Sequence, residues 1–418
     1  MNILEEIQTC PVEWKELGEI SQFYSGLTGK TKSDFENGNA KYVTYKNIFN
    51  NIQVEFNLLE TVQVDKNERQ NFIEYGDVLI TGSSESKEEV GMSSTVTFVP
   101  DEQIYLNSFS FGIRFNEDIE LLPEFTKYLF RSIRLRKQIE KTASGVTRYN
   151  ISKVAFKKIK IPLLSREIQE KIVQILDKMT EYVTELTSEL TSRKKQYSFY
   201  RDKLLSFEDE VYQVEWKTLD AVSERTSNIS WNKVGDDEKF KYIDLSSVDR
   251  VSNKITETTS ITKSTAPSRA QKIVKSNDII LGTTRPTLKR FTKITDDYND
   301  QICSTGFYVF RTNGEVLPNY VYHIFSSSDF YKYLEENQSG ASYPAISDAL
   351  IKKYKIPVPS LEIQSRIVQV LDNFDTVCND LNIGLPKEIE LRQKQYEYFR
   401  EKLLTFVAEG EYSESRVE

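Results

Sequence analysis

Three short patterns in the chain contain residue types that could do chemistry. Residues 26–31 read Gly-Leu-Thr-Gly-Lys-Thr and resemble part of a phosphate-binding loop, but that loop needs a glycine where Tyr24 stands, so we assign the segment to a turn. His323 is the only histidine, and its apolar helical surroundings favour a packed side chain over a catalytic base. Acidic residues beside lysines, as at Glu140-Lys141, are too common to indicate a nuclease.

Several motifs of nucleic-acid and cofactor enzymes are missing. The chain has no Asn-Pro-Pro-Tyr or Asp-Pro-Pro-Tyr stretch of an adenine methyltransferase and no Gly-x-Gly-x-x-Gly stretch for a dinucleotide. A single histidine excludes a His-rich metal site and argues against a Ser-His-Asp triad. We therefore expect no catalytic residue and no metal site in this chain.

Positive charge is concentrated in one stretch of an otherwise acidic chain. The formal net charge of −8 taken alone argues against nucleic-acid binding, because phosphate contacts need lysine and arginine. Between residues 263 and 293, however, only Asp278 opposes a group of basic residues. Arginine can bond guanine O6 and N7 together, and lysine can neutralise phosphate, so this stretch is a candidate DNA contact. The alternative is a solvated charged face.

An internal repeat is the most informative feature of the sequence. The longest match joins residues 157–177 and 352–372, which share Ile-Pro, Glu-Ile-Gln and an aliphatic run ending in Leu-Asp. Shorter matches pair residues 12–15 with 214–217, 76–80 with 277–281, 195–197 with 394–396, and 203–205 with 402–404. The order is therefore globular half, helix, globular half, helix.

A long helical pattern ends each repeat. In the first, Ser165 can cap the helix, and Glu167 suits the positive end of the helix dipole. Apolar residues then recur in steps of four and three, which is typical of a coiled-coil seam. The seam residues are Ile168, Ile172, Ile175, Met179, Tyr182 and Leu186 in the first helix and Ile363, Ile367, Val370, Phe374, Val377 and Leu381 in the second. A helix of about 40 residues is about 60 Å long and needs a partner along its length, so we expect an antiparallel pair.

The second helix departs from the first around Gly384-Leu385-Pro386 and has four extra residues before the match resumes. A proline there should kink or break the helix. Four inserted residues would also shift the seam.

Both globular halves show mixed α/β patterns. Candidate strands cover residues 41–45, 77–81, 95–99 and 109–115 in the first half and 241–245, 273–282 and 306–311 in the second. Helical patterns follow at residues 123–140 and 318–335. The predicted fold is α/β (α+β): two similar mixed α/β domains, separated by two long helices that pack as an antiparallel coiled coil, with a pseudo-twofold internal repeat.

These features together resemble the specificity subunits of Type I restriction–modification systems over nearly the whole chain. Ser-Gly-Leu-Thr-Gly-Lys at 25–30, Gly-Ser-Ser-Glu-Ser-Lys-Glu-Glu-Val-Gly-Met-Ser-Ser at 82–94 and Ser-Gly-Val-Thr-Arg-Tyr-Asn-Ile-Ser at 144–152 look like that family's target-recognition domain. The Ile-Pro and Glu-Ile-Gln elements look like the start of its spacer helices. The second half keeps Ser-Gly and Ile-Ser within residues 339–347 but lacks Thr-Arg-Tyr-Asn there.

The resemblance implies a division of labour among subunits. Each target-recognition domain would read one half of a split target in double-stranded DNA, and the paired helices would act as a ruler that fixes the gap. Two modification subunits would dock on the helices and methylate adenine with S-adenosylmethionine, and restriction subunits would add ATP- and Mg²⁺-dependent translocation and cleavage. This chain would bind no cofactor itself. Its three isolated cysteines and the lack of a long apolar run favour a cytoplasmic location without membrane contact.

The expected domains follow the repeat. They are target-recognition domain 1 at residues 1–163, spacer helix 1 at 164–208, target-recognition domain 2 at 209–358, spacer helix 2 at 359–407 and an acidic tail at 408–418. An alternative function is a non-catalytic protein-interaction scaffold with a coiled-coil ruler, which the acidic balance favours slightly.

Segments that differ between the halves are candidates for reading different bases. Residues 82–98 and 282–294 follow matching strands yet have little in common, so we expect an asymmetric target. The candidate DNA-binding residues are Thr28, Lys30, Lys32, Tyr45, Lys46, Asn47, Ser83, Ser84 and Arg148 in the first half and Arg269, Lys272, Lys275, Thr284, Arg285, Lys289 and Arg290 in the second. For any one of them the alternative is an ordinary surface position.

Aromatic residues cluster near the end of each long helix. They are Tyr197, Phe199 and Tyr200 in the first helix and Tyr396, Tyr398 and Phe399 in the second. One interpretation is a docking surface for the modification subunit. The alternative is packing between the helices and the globular halves.

Overall fold

The computed structural model describes residues 3–207 and 214–406, and the chain divides into two compact units. The first unit comprises Met1–Val183 and Arg392–Glu418, and the second comprises Thr184–Leu391. Each unit therefore contains one globular half together with parts of both spacer segments. The tail predicted at residues 408–418 lies outside the described residues.

The first globular half mixes helices and strands, as its sequence predicts. Its helices are α1 (Ile3–Thr9), α2 (Leu17–Ile20), α3 (Tyr45–Asn50), α4 (Pro123–Leu129), α5 (Ile133–Lys141) and α6 (Lys153–Phe156). Its strands are β1 (Glu13–Glu16), β2 (Ser21–Ser25), β3 (Ala40–Val43), β4 (Glu60–Val62), β5 (Val78–Thr81), β6 (Ser83–Ser84), β7 (Ser93–Thr95), β8 (Ile104–Leu106), β9 (Ser110–Phe115), β10 (Ala143–Ser144), β11 (Tyr149–Ile151) and β12 (Lys160–Leu163). They form a four-stranded antiparallel sheet β2-β9-β5-β7, a three-stranded sheet β4-β3-β8, a ribbon β10-β11-β6 and a pair β1-β12.

The second globular half repeats this plan. Its strands are β13 (Glu215–Thr218), β14 (Phe240–Ile243), β15 (Thr259–Ile261), β16 (Ala270–Val274), β17 (Ile279–Gly282), β18 (Phe291–Lys293), β19 (Gln301–Ser304), β20 (Phe307–Phe310) and β21 (Lys355–Val358). Its helices are α8 (Pro318–Ser326), α9 (Ser328–Asn337) and α10 (Asp348–Lys353). The strands form the sheets β15-β14-β19-β16 and β18-β17-β20 and the pair β13-β21.

Two spacer segments follow the globular halves. The first is the continuous 41-residue helix α7 (Arg166–Ser206), and the second is divided into α11 (Leu361–Asn379) and α12 (Leu385–Leu403). The predicted interruption is therefore confirmed: backbone N–H groups of Asn382 and Ile383 donate to the Asp380 carboxylate, and the chain turns there. The proline at 386 lies in the first turn of α12, where its missing N–H costs nothing. No helix among the described residues is long and apolar enough to cross a membrane.

Each unit pairs parts of the two spacers in an antiparallel sense, as predicted. In the first unit the Arg392 guanidinium of α12 lies 5.1 Å from the ring centre of Tyr182 on α7. In the second unit Tyr197 and Tyr200, near the end of α7, stack on Phe374 of α11 with ring centres 6.2 and 5.8 Å apart. An early part of one spacer thus lies beside a late part of the other in both units.

The predicted seam is partly wrong. Val370 and Val377 are 44% and 40% exposed, whereas their neighbours Leu371 and Cys378 are fully buried. In α7 the buried stripe includes Leu176, which the seam omits. The reason is that the spacers also pack on the globular halves, as α11 does on α8. Their apolar faces are therefore wider than a strict coiled-coil seam and follow the period of a surface helix.

Each predicted helix in the globular halves is two helices. Residues 123–140 form α4 and α5, and residues 318–335 form α8 and α9. Ser132 and Ser327 separate the members of each pair, since their hydroxyl groups accept from the N–H of Leu135 and Phe330 and so cap a new helix.

The predicted strands needed similar corrections. Residues 273–282 turn between β16 and β17, where Lys275 N–H donates to the Asp278 carboxylate. Only the first residue of the predicted strand at 95–99 is in a strand.

The predicted packed histidine is confirmed. The His323 side chain is fully buried, with Nδ1 3.1 Å from Tyr197 Oη and Nε2 2.7 Å from an Asp372 carboxylate oxygen. Burial opposes the ionised form of Asp372, but hydrogen bonds, with that from His323 the largest, hold its pKa below the ordinary value. In the first unit Tyr128 Oη donates to Asp177 at 2.6 Å in the corresponding place.

A buried glutamine fastens each long helix to its globular half. Gln169 of α7 is fully buried, accepts from Leu122 N–H at the start of α4 (2.9 Å), and donates to the Leu164 carbonyl oxygen. Gln364 of α11 is also fully buried and accepts from Leu317 N–H at the start of α8 (2.8 Å). A buried N–H at the start of a helix is costly when it has no hydrogen-bond partner. Each glutamine side chain supplies that partner and thereby joins the long helix to its globular half.

We expect Gln169→Leu to lower the free energy of unfolding by about 2–3 kcal/mol, because it leaves buried backbone groups without partners. Gln364→Leu should act similarly in the second unit. Gln174→Leu is the matched control, since Gln174 is exposed on the same helix. Urea unfolding followed by circular dichroism measures the difference. Equal effects of the substitutions at 169 and 174 would contradict the role assigned to Gln169.

Candidate nucleic-acid interface

An open groove in the first unit brings several predicted residues together. It has a volume of about 440 Å³ and is lined by Tyr45, Phe49, Ser83, Ser84, Glu85, Glu89, Phe109 and Arg148. A second cavity of the same volume adjoins it and shares Ser83, Phe109 and Arg148. We call the two cavities together the first-unit groove.

The ribbon β10-β11-β6 positions Arg148. Tyr149 and Asn150 of β11 pair with Ser84 and Ser83 of β6, which places the start of β11 at the groove. The tight turn before it depends on Gly145, whose φ is +143° and where an added Cβ would lie 2.0 Å from the Arg148 carbonyl oxygen. Only glycine fits that turn.

Polar and aromatic contacts fix the groove's side chains. Arg148 donates from Nε and Nη2 to Ser83 Oγ, at 3.1 and 2.9 Å, and its guanidinium carbon lies 6.0 Å from the ring centre of Phe109. Tyr45 Oη donates to the Ser83 carbonyl oxygen at 2.9 Å, and its ring stacks on Phe49. Burial raises the pKa of Tyr45, so its hydroxyl stays protonated at neutral pH.

The groove presents both donors and acceptors to solvent. Arg148 is exposed, and so are the carboxylates of Glu85 and Glu89. An arginine fork matches guanine O6 and N7, and a carboxylate can accept from the amino group of cytosine. Phosphate contact alone would not need the carboxylates, which repel a DNA backbone. The arrangement therefore suits contacts with base edges.

The second unit presents its polar residues from the loop after β17. Arg285 has a left-handed backbone (φ 49°), and its N–H donates to the Pro344 carbonyl oxygen at 2.6 Å. Its guanidinium carbon lies 4.5 Å from the ring centre of Tyr343, which is 70% exposed. Lys289 is also left-handed (φ 53°), and partial desolvation of its ammonium group lowers its pKa although the residue as a whole is exposed. Non-glycine residues adopt such a backbone only where the surroundings determine it, so this loop is held in shape.

The predicted DNA-binding residues differ in exposure. The exposed ones are Thr28, Lys32, Lys46, Arg148, Arg269, Lys275, Arg285 and Lys289. Partly buried are Lys30, Tyr45, Ser84, Lys272, Thr284 and Arg290, and Asn47 and Ser83 are buried. Because exposure does not by itself show DNA binding, the DNA contacts of the exposed residues stay a prediction.

Three predicted contacts are engaged in holding the fold. Asn47 is 1% exposed and its amide bonds the backbone N–H and carbonyl of Glu55. The Lys30 ammonium is paired with Glu68 at 2.5 Å, and the Lys272 ammonium is paired with an aspartate at 2.8 Å and a backbone carbonyl at 2.6 Å. A short polar side chain looks alike in sequence whether it meets solvent or bonds a loop, so the sequence pattern could not show that Asn47 is buried.

The aromatic residues near the helix ends fall into two groups. Tyr197 is buried, and Tyr396 and Phe399 pack against the first unit's core, so for these three the packing alternative holds. Phe199 and Tyr398, which occupy matching positions in the repeat, are 62% and 59% exposed. Tyr200 is 45% exposed while stacking on α11.

The sequence patterns did not indicate two aromatic residues that lie beside Arg148 and Arg285. Phe109 lies on the loop between β8 and β9, and Tyr343 lies in the segment that replaces Thr-Arg-Tyr-Asn in the second half. Both belong to positions where the two halves differ. Comparing the halves residue by residue at those loops, beyond residues 82–98 and 282–294, would have found them.

The family model for the Type I restriction modification DNA specificity domain matches twice, at residues 11–193 and 214–391. The matches cover most of the chain, with one in each globular half and its following spacer. The chain therefore belongs to this family and carries two copies of its domain.

Individual relatives agree with the family. The chain is 35% identical over 273 residues to the EcoR124I/EcoR124II specificity subunit of Escherichia coli, covering 61% of this chain and 65% of that protein, slightly under two thirds. A putative Haemophilus influenzae specificity subunit is 29% identical over 63% of this chain and 68% of its own length. The fold is also similar to that of the S subunit from M. genitalium, with a TM-score of 0.51 at 16% identity, over 96% of this chain and 98% of that one. A structure described as underlying complex assembly of the type I R-M system has a TM-score of 0.65 at 15% identity, over 95% and 98% of the two chains.

The neighbours Lys46 and Asn47 on α3 give a matched test of exposure. Asn47→Ala should cost about 1–3 kcal/mol of unfolding free energy, because it leaves loop backbone groups unpaired. Lys46→Ala should change stability by less than about 0.5 kcal/mol. It should instead weaken DNA binding uniformly across sequences and reduce the slope of log affinity against log salt by about one. Thermal unfolding and binding at several salt concentrations measure these effects. If Lys46→Ala lost stability and Asn47→Ala did not, the roles assigned to the two residues would be wrong.

Proposed function

We propose that this chain is the DNA sequence-specificity subunit of a Type I restriction–modification complex and that it reads an asymmetric target in two parts. The observation that carries the proposal is the duplicated specificity domain, with one copy in each globular half and its following spacer. The recognition domains would span residues 1–163 and 209–358, and the spacers would set the gap between the half-sites.

Asymmetry of the target follows from differences between the candidate interfaces of the two units. The segment after β5, residues 82–98, contains three carboxylates and no arginine, whereas the loop after β17 carries Arg285, Lys289 and Arg290. The exposed carboxylates after β5 accept hydrogen bonds and the basic residues after β17 donate them, so these two segments would favour different base edges. A palindromic target would need similar groups in both units.

The proposed partners are two modification subunits and, where cleavage accompanies methylation, restriction subunits. The modification subunits would transfer the methyl group to adenine from S-adenosylmethionine, and the restriction subunits would use ATP and Mg²⁺. This chain would select the DNA site and would catalyse no reaction itself. It would act in the cytoplasm, where the target DNA is found. The exposed rings of Phe199 and Tyr398 are candidates for partner contact, because exposed aromatic residues often anchor protein interfaces.

Mapping of adenine methylation by long-read sequencing tests the proposal. Cells expressing this chain with its modification subunit should show methylation in a split motif that cells lacking this chain do not show. The purified chain alone, given S-adenosylmethionine and DNA, should transfer no methyl group. Absence of a chain-dependent motif, with an active modification subunit present, would favour the scaffold alternative instead.

Exchange of residues 82–98 for the corresponding segment of a relative should change the bases of one half-site and leave the other half-site and the gap unchanged. The reason is that this segment forms part of the first-unit groove and belongs to one unit only. Methylation mapping of the variant measures all three properties together. A changed gap with unchanged half-sites would contradict the division between reading domains and spacers.

Insertion of four residues near 187–191 should lengthen the gap between the half-sites. Four helical residues add about 6 Å along α7, which corresponds to roughly one to two base pairs of DNA. The same mapping measures gap length directly. An unchanged gap in a variant that still methylates would rule out the spacer as a ruler.

A further inference from the structure

An arginine lies against an aromatic ring at the candidate interface of each unit, and one member of each pair occupies a corresponding position. Corresponding residues can be found from backbone bonds. Gly82 N–H donates to the Phe109 carbonyl oxygen and Thr283 N–H donates to the Gly306 carbonyl oxygen, both at 2.8 Å. Phe109 therefore corresponds to Gly306. Counting on by two residues from Gly82 and Thr283, Ser84 corresponds to Arg285.

The ribbon segments align in the same way. Ser152 caps α6 and Ser347 caps α10. The residues four positions earlier are Arg148 in the first unit and Tyr343 in the second. The preceding glycines, seven positions before each serine, both have positive φ, at +143° and +107°.

The two units thus build the same kind of pair from different elements. In the first, the arginine comes from the ribbon (Arg148) and the ring comes from the loop before β9 (Phe109). In the second, the ring comes from the ribbon position (Tyr343) and the arginine comes from the loop after β17 (Arg285). Neither pair is a conserved part of the repeated fold, since each of its positions holds a different residue in the other unit.

Both pairs are held in place and open to solvent. Phe109 and Tyr343 are 62% and 70% exposed, and both arginines are exposed. Arg148 is fixed by Ser83 Oγ, and the backbone of Arg285 is fixed by its bond to Pro344. A guanidinium against a ring keeps its N–H donors in one plane and loses little side-chain freedom on binding.

We propose that Arg148 and Arg285 each read one guanine, in different half-sites of the target, and that Phe109 and Tyr343 are positioning residues for the two guanidinium groups. The proposal rests on the proposed function and deepens it. A planar fork fits guanine O6 and N7 together, which lysine cannot do.

Methylation mapping of the full complex tests the assignment to half-sites. Arg148→Ala should relax one guanine position in one half-site, and Arg285→Ala should relax one guanine position in the other. Arg148→Lys keeps the charge and should relax the same position as Arg148→Ala. Arg69→Ala and Arg250→Ala remove exposed arginines from the same two units and should leave the motif unchanged.

Binding to DNA with 7-deazaguanine in place of the guanine assigned to Arg148 tests the contact itself, because this base lacks N7. The wild-type complex should lose roughly tenfold in affinity. The Arg148→Ala complex should bind normal and modified DNA equally. Phe109→Gly, which introduces the residue found at 306, should weaken discrimination by roughly two- to fivefold at the same guanine only.

The outcomes separate this inference from the proposed function. If the wild-type complex produced no motif, the proposed function would fail. If it produced a motif and either half-site lacked guanine, or both arginine variants altered one half-site, the inference would be overturned. Uniform loss of methylation with an unchanged motif, or equal sensitivity of wild type and Arg148→Ala to 7-deazaguanine, would make the arginines phosphate contacts and overturn it as well.

Discussion

In each unit the hydrogen bonds of one buried glutamine fix a long helix on its globular half, and the placement of the spacers depends on this constraint. Gln169 and Gln364 belong to the long helices, yet their oxygens complete the start of a helix in the globular half. A buried amide has few alternatives once its partners are placed, so the helix can neither slide nor turn against that half without breaking bonds in a dry environment. The direction of each spacer is thereby tied to the globular half that precedes it.

The groove, by contrast, is built from parts that can be exchanged. Strand registers, caps and glycine turns recur in both units, while the residues at the candidate interfaces differ. A repeated backbone with exchangeable side chains lets the two copies recognise different bases without a different fold. The different origin of the two arginine–aromatic pairs shows how far the side chains differ over a common backbone.

Sequence reasoning found most of the architecture because repeats and periodicity are properties of the chain itself. It found the spacers, their antiparallel pairing and the interruption near Pro386. It predicted α4 and α5 as one helix, because a serine cap inside an apolar pattern is only a weak local signal for a helix start. It also chose Val370 and Val377 over Leu371 and Cys378, because the second surface that covers α11 is invisible in a heptad pattern.

The candidate site was harder to predict for a physical reason. Arg148 stood out by type, but Phe109 comes from a segment about 40 residues earlier and meets it only through the sheet. Asn47 and Lys46 are adjacent and both polar, and only the turn of α3 decides that one bonds a loop while the other meets solvent. Such contacts depend on tertiary structure and leave no local pattern.

The composition of the first unit from both ends of the chain has a consequence for folding during synthesis. Its core includes Ile172 and Leu403, and Glu401 accepts a hydrogen bond from Ile133 N–H across 268 positions of sequence. The second unit is continuous in sequence. On the ribosome it can therefore be complete while the first still lacks its last helix, although the first emerges earlier. Until α12 is made, the apolar side chains that pack against Leu403 in the first unit's core lack that cover.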